Sequence, residues 1–223
     1  MGAVSAKKES METFLQENAS AIFGLLGAFL GGLLSFTATW VMKNREYTLR
    51  VWDRLLERRI KAHENLISIA VEMRVMVVLG GKDMDGEVAR APQVMISKEE
   101  FEKWFTRFTL LTQEGSTWLT TKAKREVNFV QDYLVTLHTN LSSAQSDKYL
   151  SVGQVIRRDF VDLSSALEKA SYDYFENEIT KRKLNKLSEW HKYPRQNTES
   201  RLSNMLLISN WQRVQEVLSE KNN

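Results

Sequence analysis

Three histidines, His63, His138 and His191, are the side chains best suited to proton transfer or metal ligation near neutral pH. They lie far apart in sequence, none belongs to a His-Glu-x-x-His motif, and no Glu-x-x-His pair repeats along the chain. His63 falls on an apolar-periodic stretch, where a lone imidazole is expected to be a hydrogen-bonded packing residue. The run Lys82-Asp83-Met84-Asp85-Gly86-Glu87 begins like a calcium loop, but Val94 stands where the distal glutamate would be needed, so it reads as a solvated turn. Gly80-Gly81 lacks the remainder of a phosphate-cradling loop, and there is no Gly-x-Ser-x-Gly elbow.

The chain has no cysteine, which excludes disulfides, thiolate metal sites and a cysteine nucleophile. The expectation is a protein without catalytic residues, metal or cofactor. An enzyme would require carboxylates that converge from distant positions inside a helical body. No motif is specific enough to tie the chain to a named family.

Basic clusters are the remaining chemical signal. Lys43, Arg45, Arg50, Arg54, Arg58, Arg59 and Lys61 crowd one stretch, opposed only by Glu46, Asp53 and Glu57. Beside a membrane, each cation near anionic headgroups is worth about 1 kcal/mol. Lys122/Lys124/Arg125, Arg157/Arg158 and Lys181/Arg182/Lys183/Lys186 form further patches, each near acids that suit a solvated helical face. The net charge of +3 gives no reason to expect nucleic acid as a partner.

The element that gives the first cluster its meaning precedes it. Ala19 to Met42 is a run of 24 residues without a charged side chain. As a helix it extends about 36 Å, against about 30 Å for a bilayer's hydrocarbon core. A cleaved signal peptide fits poorly, because its apolar region would be shorter and no small-x-small cleavage site follows. Two basic residues before the run (Lys7, Lys8) against seven after it predict that the amino-terminal tail lies outside and the bulk in the cytoplasm, as in a bacterial inner membrane. Gly24, Gly27, Ala28, Gly31, Gly32 and Ser35 place small side chains at spacings of three and four, a face that lets two membrane helices approach closely. With no polar stripe beyond Ser35, Thr37 and Thr39, the run offers little to line an aqueous pore.

The predicted architecture is all-α. A tail (1–18) precedes a transmembrane helix (19–42) that continues as a juxtamembrane helix (43–79), since neither glycine nor proline occurs from Leu33 to Leu79. A loop (80–96) follows, and the rest (97–223) packs with 43–79 as an antiparallel helical bundle. Within it Ser97 caps a helix in a box with Glu100, and Phe101, Trp104, Phe105 and Phe108 form a core stripe. Further helices are expected over about 117–141, 151–190 and 199–219. Short apolar runs such as Met73–Leu79 have a period that cannot settle helix against strand. The expected function is a non-enzymatic, single-pass membrane interaction or scaffold protein. Its expected partners are the lipid bilayer, a second copy and an unidentified cytoplasmic protein. An oligomerising membrane effector of a bacterial defence or toxin system is the alternative.

Overall fold

A computed structural model describes residues 13, 18–82, 86–179 and 195–219. The described residues are mostly helical, with eight α-helices, one 3-10 turn and one two-stranded hairpin. Contacts divide the chain into Met1–Arg54 and Leu55–Asn223. Helix α1 runs unbroken from Ala19 to Arg74. Its four glycines, Gly24, Gly27, Gly31 and Gly32, all fall in the apolar run, and after Gly32 nothing in the sequence interrupts the helix until the β-branched cluster around Val75.

At Arg74 the structure departs from expectation. The helix predicted to reach Leu79 stops five residues early, and Met76–Lys82 is strand β1, paired antiparallel with β2, Val88–Pro92. The predicted loop 80–96 is therefore mostly the second half of a hairpin, closed by a 3-10 turn at Gln93–Met95. Gly80-Gly81 does not cap the helix. It sits where the pairing slips between Val78 and Lys82, with Gly81 at φ 105°, a left-handed conformation that glycine tolerates. Val75, Val77 and Val78 favour an extended backbone, and the partner that stabilises it lies beyond the turn, out of reach of any local pattern. Ala89 and Ala91 turn inward from β2. Buried Gly153 lets the hairpin's end approach, since a Cβ there would lie 2.8 Å from Met95 Cβ.

Helix α2, Lys98–Gly115, is capped as predicted by Ser97, whose Oγ accepts the Glu100 N–H at 3.2 Å. Its aromatic stripe is core, with Phe101, Trp104 and Phe108 buried and Phe105 half-buried. Helix α3, Thr121–Leu141, is capped by Thr120 and buries Val127, Val130, Leu134, Leu137 and Leu141. The helix expected over 151–190 starts earlier and is split at Ile156 into α4, Ser146–Val155, and α5, Arg157–Asn177. The apolar period runs through the break (Tyr149, Val152, Ile156, Phe160, Leu163), so periodicity alone could not mark it. Residues 180–194 of that expectation, with Pro194, lie outside the described set.

The single helix expected over 199–219 is three: α6, Arg195–Asn204, α7, Leu206–Ser209, and α8, Trp211–Ser219. The break between α6 and α7 is caused by a side chain from elsewhere. The Asp159 carboxylate accepts the N–H groups of Leu206 and Leu207 at 2.8 and 2.9 Å, groups that a continuous helix would spend on carbonyls four residues back. One hydrophobic cluster joins the distal part of α1 (Ala62, Leu66, Ile69, Met73) to α2 through α5 and to Leu207 and Val214.

Candidate functional site

The surface that most demands explanation is the first part of α1. Eleven large apolar side chains between Phe23 and Met42 are exposed, Phe23 at 72% and Phe29 and Leu34 at 67% each. The helix is long and apolar enough to cross a membrane, and none of its most apolar window is buried by the rest of the chain. Gly24, Gly27, Gly31 and Gly32 meet nothing within 4 Å of a Cβ built on them, and Ala28 and Ser35 are likewise exposed. Among the described residues, no packing accounts for these small residues. The Thr37 and Thr39 hydroxyls donate to the carbonyls of Leu34 and Ser35 at 2.9 and 2.8 Å, so both are spent on the helix itself.

The basic residues that follow divide. Lys43, Arg45, Arg50, Arg54, Arg58 and Lys61 are exposed, with Arg50 paired to Glu46 at 3.7 Å and the Arg58 guanidinium 5.2 Å over the Trp118 ring. Arg59 is different: it is buried, its guanidinium 5.0 Å over Tyr174. It shares the inward face with Ala62, Leu66 and Met73, and so drops out of the predicted lipid contacts. Of the other basic patches, Lys122 pairs with Asp173 at 3.2 Å and Arg157 with Glu87 at 3.6 Å, while Lys181 to Lys186 lie outside the described residues.

His63 is the packing residue its position implied. It is fully buried and stacks on Tyr174 with ring centroids 3.9 Å apart. Its Nδ1–H donates to the Arg59 carbonyl at 2.7 Å, and Nε2 accepts the Thr120 N–H at 3.3 Å. Both nitrogens are occupied by the neutral ring. Desolvation, aided by the Arg59 charge, lowers its pKa to about 4. An unfolded imidazole titrates near 6.5, so the unfolded chain binds the extra proton first. Stability is then fully present above about pH 6.5 and is lost as pH falls toward 4, by about 2 kcal/mol between pH 7 and pH 5. Denaturant unfolding at the two pH values should show that loss in the native chain and a smaller one in His63→Gln. Equal losses would contradict it.

A second interior group was not legible as such. Asp159 is buried with its carboxylate on Leu206, Leu207 and the Tyr133 hydroxyl, the last at 2.9 Å. Burial pushes its carboxyl above the usual aspartate range, and the three donors hold it back. Nearby, Arg201 clasps Glu126 with both terminal nitrogens at 3.2 and 2.8 Å and lies 3.8 Å over the Phe129 ring. These contacts dock the carboxy-terminal helices.

A cleft of about 300 Å³ opens between Glu72 at the end of α1, Val75 just beyond it, Gln93 and Val94 of the 3-10 turn, and Glu100, Lys103, Trp104 and Arg107 of α2. Its volume is at the low end for a ligand site. Glu72 is already engaged by the Trp104 indole N–H at 3.1 Å and by Arg107. Two acids face two bases, so the walls select no ligand charge. His138 packs against Phe101, stacked at 6.2 Å, and against Phe105, tilted at 5.9 Å; His191 and Asp83 to Asp85 lie outside the described residues, and among the described residues no group of three or more His, Asp or Glu side chains converges. Comparison with protein-family models, with curated proteins and with solved structures gives no match.

Proposed function

We propose that the chain is a single-pass, self-associating membrane protein whose helical body, an antiparallel bundle in the cytoplasm, serves interaction rather than catalysis. The observation that carries this reading is the uncovered apolar run of α1. Leaving a large apolar side chain in water forgoes about 1.5 kcal/mol or more. Eleven of them represent on the order of 15 kcal/mol, as much as a whole domain's stability. The run matches a bilayer in length, and its two threonine hydroxyls are internally satisfied, as lipid requires. Exposed Trp40 and Tyr47 bracket its carboxy-terminal end, where interfacial aromatics belong.

Geometry narrows the headgroup contacts. From Met42, Arg50 lies about 12 Å along the helix, Arg54 about 18 Å and Lys61 about 28 Å. The headgroup layer is about 5–7 Å deep and screening acts within about 8 Å. On a helix along the bilayer normal, Lys43, Arg45 and Arg50 touch lipid, while Arg54, Arg58 and Lys61 serve the body beyond. The same charge bias places the amino-terminal tail outside, so protease added to intact cells should spare the bulk of the chain.

Self-association is assigned to the face of Gly24, Gly27, Ala28, Gly31, Gly32 and Ser35. With the threonines spent on the backbone, this face suits close helix packing better than a water-lined path, which disfavours the membrane-effector alternative. Gly27→Ile with Gly31→Ile should lower dimerisation in a bilayer reporter about tenfold, the effect of losing roughly 1.4 kcal/mol of contact. An unchanged signal would remove this face from the account.

A further inference from the structure

The hairpin has two edges, and they are built differently. The Gln93 N–H donates to the Val75 carbonyl at 2.8 Å, and Val77 faces Ala91 in the register. In an antiparallel ladder, Val75 and Val77 therefore turn their backbone groups toward β2, and Met76 and Val78 turn theirs away. On the far edge of β2 the corresponding positions are Pro92, which has no N–H to offer, and Arg90, and β2 lies against α4 and α5. Among the described residues the far edge of β1 has no such protection. The sheet has two strands only, and the outward N–H and C=O of Met76 and Val78 meet no partner among the described residues. From Val75 to Gly81 there is no charge and no proline to discourage pairing, and Val78 is 70% exposed.

We propose that β1 pairs with β1 of a second copy, antiparallel about a two-fold axis at Val78, so that two hairpins form one four-stranded sheet. The edge is self-complementary in the required sense. Val78 meets its own counterpart, Val77 meets Leu79, Met76 meets Gly80, and no like charges face each other within the run. A strand pair this short buries far less than the roughly 1,200 Å² of a stable interface, so it needs an imposed proximity. The membrane anchor supplies that by confining copies to one plane. In this respect the pairing rests on the self-association reading, and it adds a second contact outside the bilayer.

The absence of native cysteine makes the test clean. The full chain carrying Val78→Cys, oxidised in membranes, should form a disulfide dimer, because facing residues of such a pair have Cα atoms about 5.5 Å apart, within disulfide range. Val88→Cys, also exposed but on the protected strand, is the collision control, and the yield at position 78 should exceed it at least about fivefold. The dimer at 78 should survive Gly27→Ile with Gly31→Ile at a reduced level. Equal yields at 78 and 88, or none at 78 while an amine cross-linker still captures a dimer, would overturn the strand pairing and leave self-association through the helix standing. No dimer by either reagent would remove both.

Discussion

The chain carrying Leu26→Arg and Leu30→Arg is expected to leave the membrane fraction. Both side chains lie near the middle of the apolar run, at 50% and 54% exposure, and neither supports the folded body. An arginine at the centre of a membrane helix costs about 2.5–3.5 kcal/mol on insertion scales. Two cost about 5–7 kcal/mol, a shift of more than a thousandfold in partition. The glycines make the run less apolar than a leucine-rich span, so little reserve opposes that penalty. Fractionation of cells expressing the variant should find it in the soluble or aggregated fraction, while Leu26→Ala with Leu30→Ala stays membrane-bound. Retention of the double-arginine variant would mean that something other than lipid covers this surface.

Asp159→Ala should be the most damaging single change in the folded body. It strands the Tyr133 hydroxyl and the Leu206 and Leu207 N–H groups in or near the core, at a cost of about 3 kcal/mol. The isolated carboxylate pays a desolvation penalty, as its raised pKa indicates, but three hydrogen bonds outweigh it. For a chain of this size the melting midpoint in mild detergent should fall by about 6–12 °C. Asp159→Asn, which keeps an acceptor oxygen, should lose less. The damage should centre on α7 and α8, so half-buried Trp211 should report a fluorescence change at lower denaturant than the core does. A midpoint unchanged by the alanine would show that the carboxylate does not hold this segment.

Features set by local pattern were legible in the sequence. The uncharged run, the Ser97 cap, the aromatic stripe of α2 and the apolar face of α3 all rest on spacings within one helix, and the structure agrees with each. What sequence missed depends on partners distant along the chain. Val75 to Leu79 could join a helix or a strand, and Val88–Pro92, across the turn, decides for the strand. Residues 199–219 carry a helical pattern throughout, but Asp159, 47 residues away from Leu206, captures the two N–H groups that would have continued it. Arg59 looked like one more cation in a basic stretch. Its phase with Ala62, Leu66 and Met73 is the signal that it turns inward, and a helical projection would have separated it from Arg58. The cleft at Trp104 has no sequence signature, since its charges come from two helices.

Alkaline carbonate extraction of membranes containing the native chain strips proteins held by charge or by protein contacts and leaves those embedded in lipid. The chain is expected to stay in the pellet, to float with vesicles in a density gradient and to be released only by detergent. Recovery of a folded, monodisperse chain in the carbonate supernatant would contradict it.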